Sequence, residues 1–224
     1  MTRAVKTLAA RVTLIPHGVD ERFAGSPREQ RPISQYSADR PFRILYVSII
    51  DVYKHQGQSA EAVAKLRQSG LPVVLDLVGS AYPPALARLK KTLDRVDPAG
   101  KFVRYAGAVP NGELHARYAE AEVYLFASSC ENLPNILLEA MAAGLPIASS
   151  NREPMPEVLG DAGLYFDPES PHEIADVLRT LIEDVGLRAK LAQRAYEKAK
   201  QYSWKRCADE TFAFISKNVR ERRS

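Results

Sequence analysis

Apolar residues in this chain fall into short runs, separated by longer stretches in which they recur every three or four positions. The runs are Phe42–Val47, Val73–Gly79, Phe102–Ala106, Val123–Ala127, Pro146–Ser149 and Gly163–Phe166. Each is too short to be a helix and is rich in branched and aromatic side chains, so each predicts a strand. Their nearly unbroken apolar character is that of strands covered on both faces. Between them the helical period predicts helices over 57–69, 83–95, 111–120 and 134–143. Strand alternating with helix predicts an α/β domain: a Rossmann-like, doubly wound parallel sheet of about six strands.

The two ends read differently. Residues 1–40 form a lead-in: Arg11 to Pro16 is compatible with a short strand, His17 to Asp20 with a turn, and 24–41, rich in Pro, Ser, Arg and Gln, with a linker. After residue 170 the pattern is helical throughout. Ile174, Val177, Leu178, Leu181 and Ile182 make one buried stripe, opened by Pro171 at a first-turn position. Leu187 and Leu191 begin another helix, and Trp204, Ala208, Thr211, Phe212 and Ile215 form a third stripe with Trp204 expected in the core. The division is therefore 1–40 as lead-in, 41–200 as the main domain, and 201–224 as a C-terminal helix with a basic tail.

The 224 residues suffice for one large or two small domains, and a net charge of +4 is too small to argue for nucleic acid. Two cysteines without metal-type spacing make no disulfide framework, and no apolar run approaches a membrane span, so a cytoplasmic protein is expected. The scattered histidines, His17, His55, His115 and His172, are assigned surface or turn roles.

The chemistry concentrates in Cys130–Pro146. Glu131 and Glu139 lie eight positions apart around the turn Asn132-Leu133-Pro134-Asn135, between the fourth strand and a helix that stops at Gly144-Leu145-Pro146. Ligands of open parallel sheets sit at the carboxyl ends of strands. A helix amino terminus presents unpaired N–H groups to an anion. The amides of 132–135 would face a phosphate there, with a carboxylate on either side for sugar hydroxyls, which suggests a nucleotide-sugar site. Lys54 follows the first strand, where a flexible point charge suits a phosphate. Arg152, just after the fifth strand, suits a surface or a phosphate role equally. Cys130 reads as a small packing residue.

In this setting Glu131 and Glu139 resemble the paired-glutamate motif of retaining GT-B glycosyltransferases, family 4 (group 1). The resemblance covers about residues 12–218. Ile15-Pro16-His17-Gly18-Val19-Asp20 resembles the family's Pro-Asn-Gly-Val-Asp junction, with His17 replacing Asn. Val103–Gly107 is similar to its base-lining strand, and Gly160–Pro168 and Tyr202-Ser203-Trp204 to its closing segment. The family's usual arginine about five residues before the lysine is missing from Ser48-Ile49-Ile50-Asp51-Val52.

The resemblance implies the C-terminal, donor-binding half of a GT-B fold, with the N-terminal Rossmann-like acceptor domain missing. Lys54 and Glu131 would be catalytic. Ser48, Arg104, Asn132, Leu133, Pro134, Asn135 and Glu139 would hold the donor, Glu139 on the ribose and Val103–Tyr105 along the base. For Arg104 only the backbone would matter. A hexose would pass from a nucleoside-diphosphate sugar to a glycan or lipid-linked acceptor, and this chain alone would be inactive. No Asp-x-Asp pair occurs, which agrees with the family's metal independence; no cofactor is expected beyond the donor itself. Residues 46–56 and 149–157 are similar to bacterial enzymes of surface-polysaccharide biosynthesis, with mannose one candidate sugar and a peripheral place at the inner membrane face one candidate location. Two alternatives stand beside this: a non-catalytic nucleotide-sugar binding module, and a nucleotide-sugar epimerase of the same architecture.

Overall fold

The computed structural model describes residues 12–221. Six parallel strands form one sheet: β1 (Phe42–Val47), β2 (Val73–Val78), β3 (Val103–Tyr105), β4 (Val123–Phe126), β5 (Ile147–Ser150) and β6 (Leu164–Phe166), in the order β3-β2-β1-β4-β5-β6. Helices α1 (Gln56–Gln68), α2 (Pro83–Val96), α3 (Asn111–Glu120), α4 (Asn135–Ala142) and α5 (Met155–Leu159) connect them in turn, and α6 (Pro171–Glu183), α7 (Val185–Ala199) and α8 (Trp204–Glu221) follow. The crossovers run outward in both directions from β1 and β4, and connections of the usual right hand so arranged put their helices on opposite faces. One layer holds α1 against α2 and α6; the other holds α4 against α7.

The apolar runs are strands because both faces are covered. Phe42, Ile44, Leu75, Leu77, Tyr124, Leu125 and Phe126 are fully buried. Order reverses between β1 and β4, which makes the carboxyl ends of those two strands the topological switch point. The loops beyond β1, β2 and β3 are laced together there. Ser48 N–H donates to Val78 O at 2.8 Å, Gly79 N–H to Gly107 O at 2.8 Å, and the Tyr105 hydroxyl to Gly79 O at 3.0 Å. Gly79 is required by this lacing: its φ is +145°, and a Cβ would stand 2.1 Å from Ser48 O.

Several expectations change. No strand forms over 12–16, and Arg11 lies outside the described residues. Residues 24–41, expected as a linker, are strapped onto the domain: Gly25 N–H donates to Ala142 O at 2.9 Å, Arg28 donates to the carbonyls of Ala119 and Ala121, and Tyr36 buries its ring edge-on against Phe42. Apolar Phe23 and Tyr36 drive this against a composition that reads as loop. The short helix α5 was not anticipated; Pro156 near its start and Gly160 at its end are the signals that mark it. Trp204, expected in the core, is 53% exposed, and Phe212 and Ile215 are exposed with it. The period of α8 is helical, but Trp204, Ala208, Phe212 and Ile215 lie on its exposed side. Cys130 is exposed rather than packed, because the loop it occupies points to solvent.

Candidate functional site

The two loops that leave β1 and β4 meet at the switch point. Beyond β1, Asp51 caps a single 3-10 turn, Val52–Lys54, and the chain then takes a left-handed conformation at His55 (φ 51°) to enter α1. The Tyr46 hydroxyl donates to Lys54 O at 2.5 Å and pins this turn to the sheet. Lys54 is thereby folded inward and is only 4% exposed. Its Nζ lies 5.5 Å from the centroid of the Phe126 ring on β4 and 5.0 Å from that of Tyr53. Its one side-chain oxygen partner among the described residues is Glu131, with which it forms an ion pair. Sequence placed these residues 77 positions apart; the sheet order brings them into contact.

His55, beside Lys54, is buried as well. Its Nε2 lies 2.9 Å from Ser129 Oγ, and Ser129 Oγ in turn is 3.2 Å from Tyr53 O. With Ser129 donating to that carbonyl, His55 carries its proton on Nε2. Its Nδ1 has no partner among the described residues. Burial pushes the His55 pKa down, so the ring is neutral at physiological pH.

Helix α4 opens beside Glu131 with no side-chain cap. Pro134 has no N–H, and Asn135 N–H is already given to Leu133 O at 3.0 Å. The amides of Asn132, Leu133 and Ile136 remain without partners among the described residues. Of the expected run of four amides, 132–135, proline and a local turn remove two; Asn132 and Leu133 remain, and Ile136 joins them. Leu133 is half-buried, Pro134 buried, and Asn132 and Asn135 exposed.

Glu139 lies a turn further on and faces α3. Its Oε2 accepts from the Tyr118 hydroxyl at 2.9 Å. Burial raises its pKa above the ordinary 4.5, the Tyr118 bond pulls it back down, and the charge of Asp20 pushes it up. Ser48 is buried with its hydroxyl turned back onto Ile49 O at 2.8 Å. Arg104 stands on the outer edge strand β3, exposed, two strands away from Lys54. Arg152, for which surface and phosphate roles were weighed equally above, is exposed and paired with Asp167 at 3.0 Å, as the surface role expects.

The geometry thus joins Lys54 to Glu131, which directly precedes the free amides of Asn132 and Leu133 and the start of α4. It sets Glu139 on its own network behind them, and leaves the side chains of Arg104 and Arg152 apart. Among the described residues, no group of three or more His, Cys, Asp or Glu side chains converges as metal ligands would, and no helix is long and apolar enough to cross a membrane. The cluster offers one desolvated cation and three free N–H donors to an anion, with a carboxylate at their rim. Sequence reasoning missed Tyr118, whose place in α3 reads simply as an apolar helix position, and the buried state of His55.

Known proteins resemble this chain along most of its length. The profile described as "Glycosyl transferases group 1" matches residues 28–198. O-antigen chain mannosyltransferase B of Escherichia coli is 36% identical over 110 residues, 49% of this chain and 29% of its own. HepE of Anabaena, solved in complex with UDP and glucose, superposes with a TM-score of 0.78 at 22% identity, covering 91% of this chain and 56% of HepE. The C-terminal domain of LpcC, a glycosyl transferase group 1 family protein from Francisella tularensis, superposes with a TM-score of 0.69 at 26% identity, covering 82% of this chain and 97% of that one. The chain spans 29%, 38% and 53% of the length of three of the curated relatives it matches, about half or less of each.

Proposed function

The chain belongs to the group 1 glycosyl transferases, and from that premise we propose that it is the donor-binding part of a retaining GT-B enzyme of family 4. It binds a nucleoside-diphosphate sugar and works with a second, acceptor-binding Rossmann-like domain. The reading rests chiefly on one observation: Lys54 and Glu131, from the two switch-point loops, close on each other where the free amides of Asn132 and Leu133 lead into α4. The close match of the LpcC C-terminal domain in length supports the C-terminal half.

In the reaction the bond from the anomeric carbon to the diphosphate breaks. The nucleoside diphosphate leaves with the electron pair, and an acceptor hydroxyl forms the new bond and passes its proton to an oxygen of the departing diphosphate. Negative charge grows on the diphosphate. Lys54 and the amides of Asn132, Leu133 and Ile136 stabilise it, and losing one such preorganised donor typically costs roughly 3–4 kcal/mol of barrier. The diphosphate draws Lys54 away from Glu131, which frees that carboxylate to hold sugar hydroxyls and to favour the positive charge developing on the ring. Glu139 holds the ribose, the backbone of Val103–Tyr105 lines the base, and Ser48 borders the phosphates. Transfer needs no metal here. The sugar is a hexose, with mannose first to test because of the E. coli relative's name, and the acceptor is a glycan or lipid-linked glycan.

Calorimetric titration with UDP-, GDP- and ADP-hexoses tests the assignment. One family of donors should bind, and Glu139→Ala should weaken it about tenfold through the lost contact to a charged acceptor. Equal affinity of Glu139→Ala and parent would remove Glu139 from the site. A transfer assay separates the enzyme from a pure binding module: the chain alone should be inactive, and activity should return with the acceptor domain.

A further inference from the structure

The Tyr118 hydroxyl ties a helix on one side of the site to the carboxylate assigned to the ribose. Tyr118 is 1% exposed in α3, and its ring stacks on Tyr124 at 5.6 Å between centroids and meets Phe23 edge-on at 5.5 Å. That stack holds the ring in place, so packing fixes where its hydroxyl oxygen sits. It donates to Glu139 Oε2 at 2.9 Å, with the Ile136 carbonyl at a longer 3.3 Å. No protein donor among the described residues reaches Oε1 of Glu139. One oxygen is therefore anchored and the other is free.

We propose that Tyr118 is a positioning residue that presents Glu139 to the nucleotide, holding Oε2 so that the ionised carboxylate offers Oε1 to the ribose diol. This rests on the ribose role given to Glu139 above. Three groups face the carboxylate: Tyr118 from α3, Tyr124 from β4, and Asp20, itself paired with Arg22 at 2.8 Å, from the entering chain. Burial and Asp20 both disfavour its charge, and Tyr118 is the group that favours it. Loss of the hydroxyl should both free the carboxylate to rotate and shift its protonation to higher pH. A protonated Glu139 is a poorer acceptor for a sugar hydroxyl, so binding must weaken as pH falls.

The test is calorimetry of UDP and GDP, each against its 2′,3′-dideoxy analogue, on the parent, Tyr118→Phe and Glu139→Gln. The parent should prefer the ribonucleotide about tenfold. In Tyr118→Phe that preference should shrink to about twofold while dideoxy affinity is unchanged, and the acid fall in ribonucleotide affinity should begin at a higher pH than in the parent. A Tyr118→Phe protein with the parent's ratio and pH profile, or one that weakens both analogues equally, overturns the proposal. Glu139→Gln separates the two levels. A parental ratio in Glu139→Gln sinks the ribose assignment itself. A lost ratio there beside a parental one in Tyr118→Phe sinks the positioning role alone.

Discussion

Among the described residues two cations, Arg188 and Lys54, are buried, and their surroundings differ in kind. Arg188 in α7 is fully buried behind the sheet. Its guanidinium donates to Leu181 O at 2.5 Å, Ile182 O at 2.6 Å, Gln30 Oε1 at 3.1 Å and the Arg31 carbonyl, and it lies 5.3 Å from the centroid of the Phe42 ring. Every one of those oxygens is uncharged. They include the last carbonyls of α6, which have no helical partner of their own, and they tie the entering strap to the domain. Lys54 has one oxygen partner, and that partner is a charged carboxylate on a loop at the ligand edge. A planar fork with its donors filled by neutral oxygens, most of them backbone, is fixed. A point charge held by a single carboxylate can exchange it for a phosphate. Burial of a cation is thus common to both regions, and only the nature of its partners separates scaffold from site.

The largest expected effect breaks the first half of that contrast. Arg188→Met should destabilise the domain by about 3 kcal/mol, because it strands several buried carbonyls at once. Chemical denaturation measures it; a loss under about 1 kcal/mol would mean the strap and α6 need no such tie. Lys54→Met should invert the outcome. Its stability change should be smaller than that of Arg188→Met, since Glu131 can swing from its loop into water, whereas affinity for a nucleoside-diphosphate sugar should fall about tenfold, near 1.4 kcal/mol. Affinity for the bare nucleoside should not change. A comparable loss for both ligands would show that Lys54 shapes the pocket rather than binding the diphosphate.

His55 sharpens the comparison, as a buried base beside Lys54 with no anionic partner. Its pKa lies below the ordinary 6.5 because of burial, so the folded protein resists a proton that the unfolded chain accepts. Stability should therefore be unaffected above the unfolded-state pKa and should decline as pH drops below about 6.5, by at most about 1.4 kcal/mol per pH unit. His55→Asn, tolerated at a left-handed position, should flatten that slope in pH-dependent denaturation. An unchanged slope would place the titration elsewhere.

Much of this architecture was legible because period and burial coincide in a doubly covered sheet. Every strand was anticipated, and helix limits fell within a residue or two, as for 57–69 against Gln56–Gln68. The paired glutamates were legible because they flank a proline turn between a strand and a helix. What escaped depends on partners distant in sequence. Arg188 sits in Leu187-Arg188-Ala189-Lys190, a stretch that reads as solvated, and only the returning strap closes over it. The Trp204 stripe has the right period for a helix, but period says nothing about whether a face is covered. The depth of Lys54 follows from the turn pinned by Tyr46, which no local pattern announces.

The most direct test of the central claim is a crystal structure of the protein with a bound nucleoside diphosphate. The diphosphate should lie within hydrogen-bond distance of Lys54 Nζ and of the amides of Leu133 and Ile136, with the Lys54–Glu131 pair opened. A ligand lodged away from the β1 and β4 ends, or one that leaves that ion pair closed, would contradict the account.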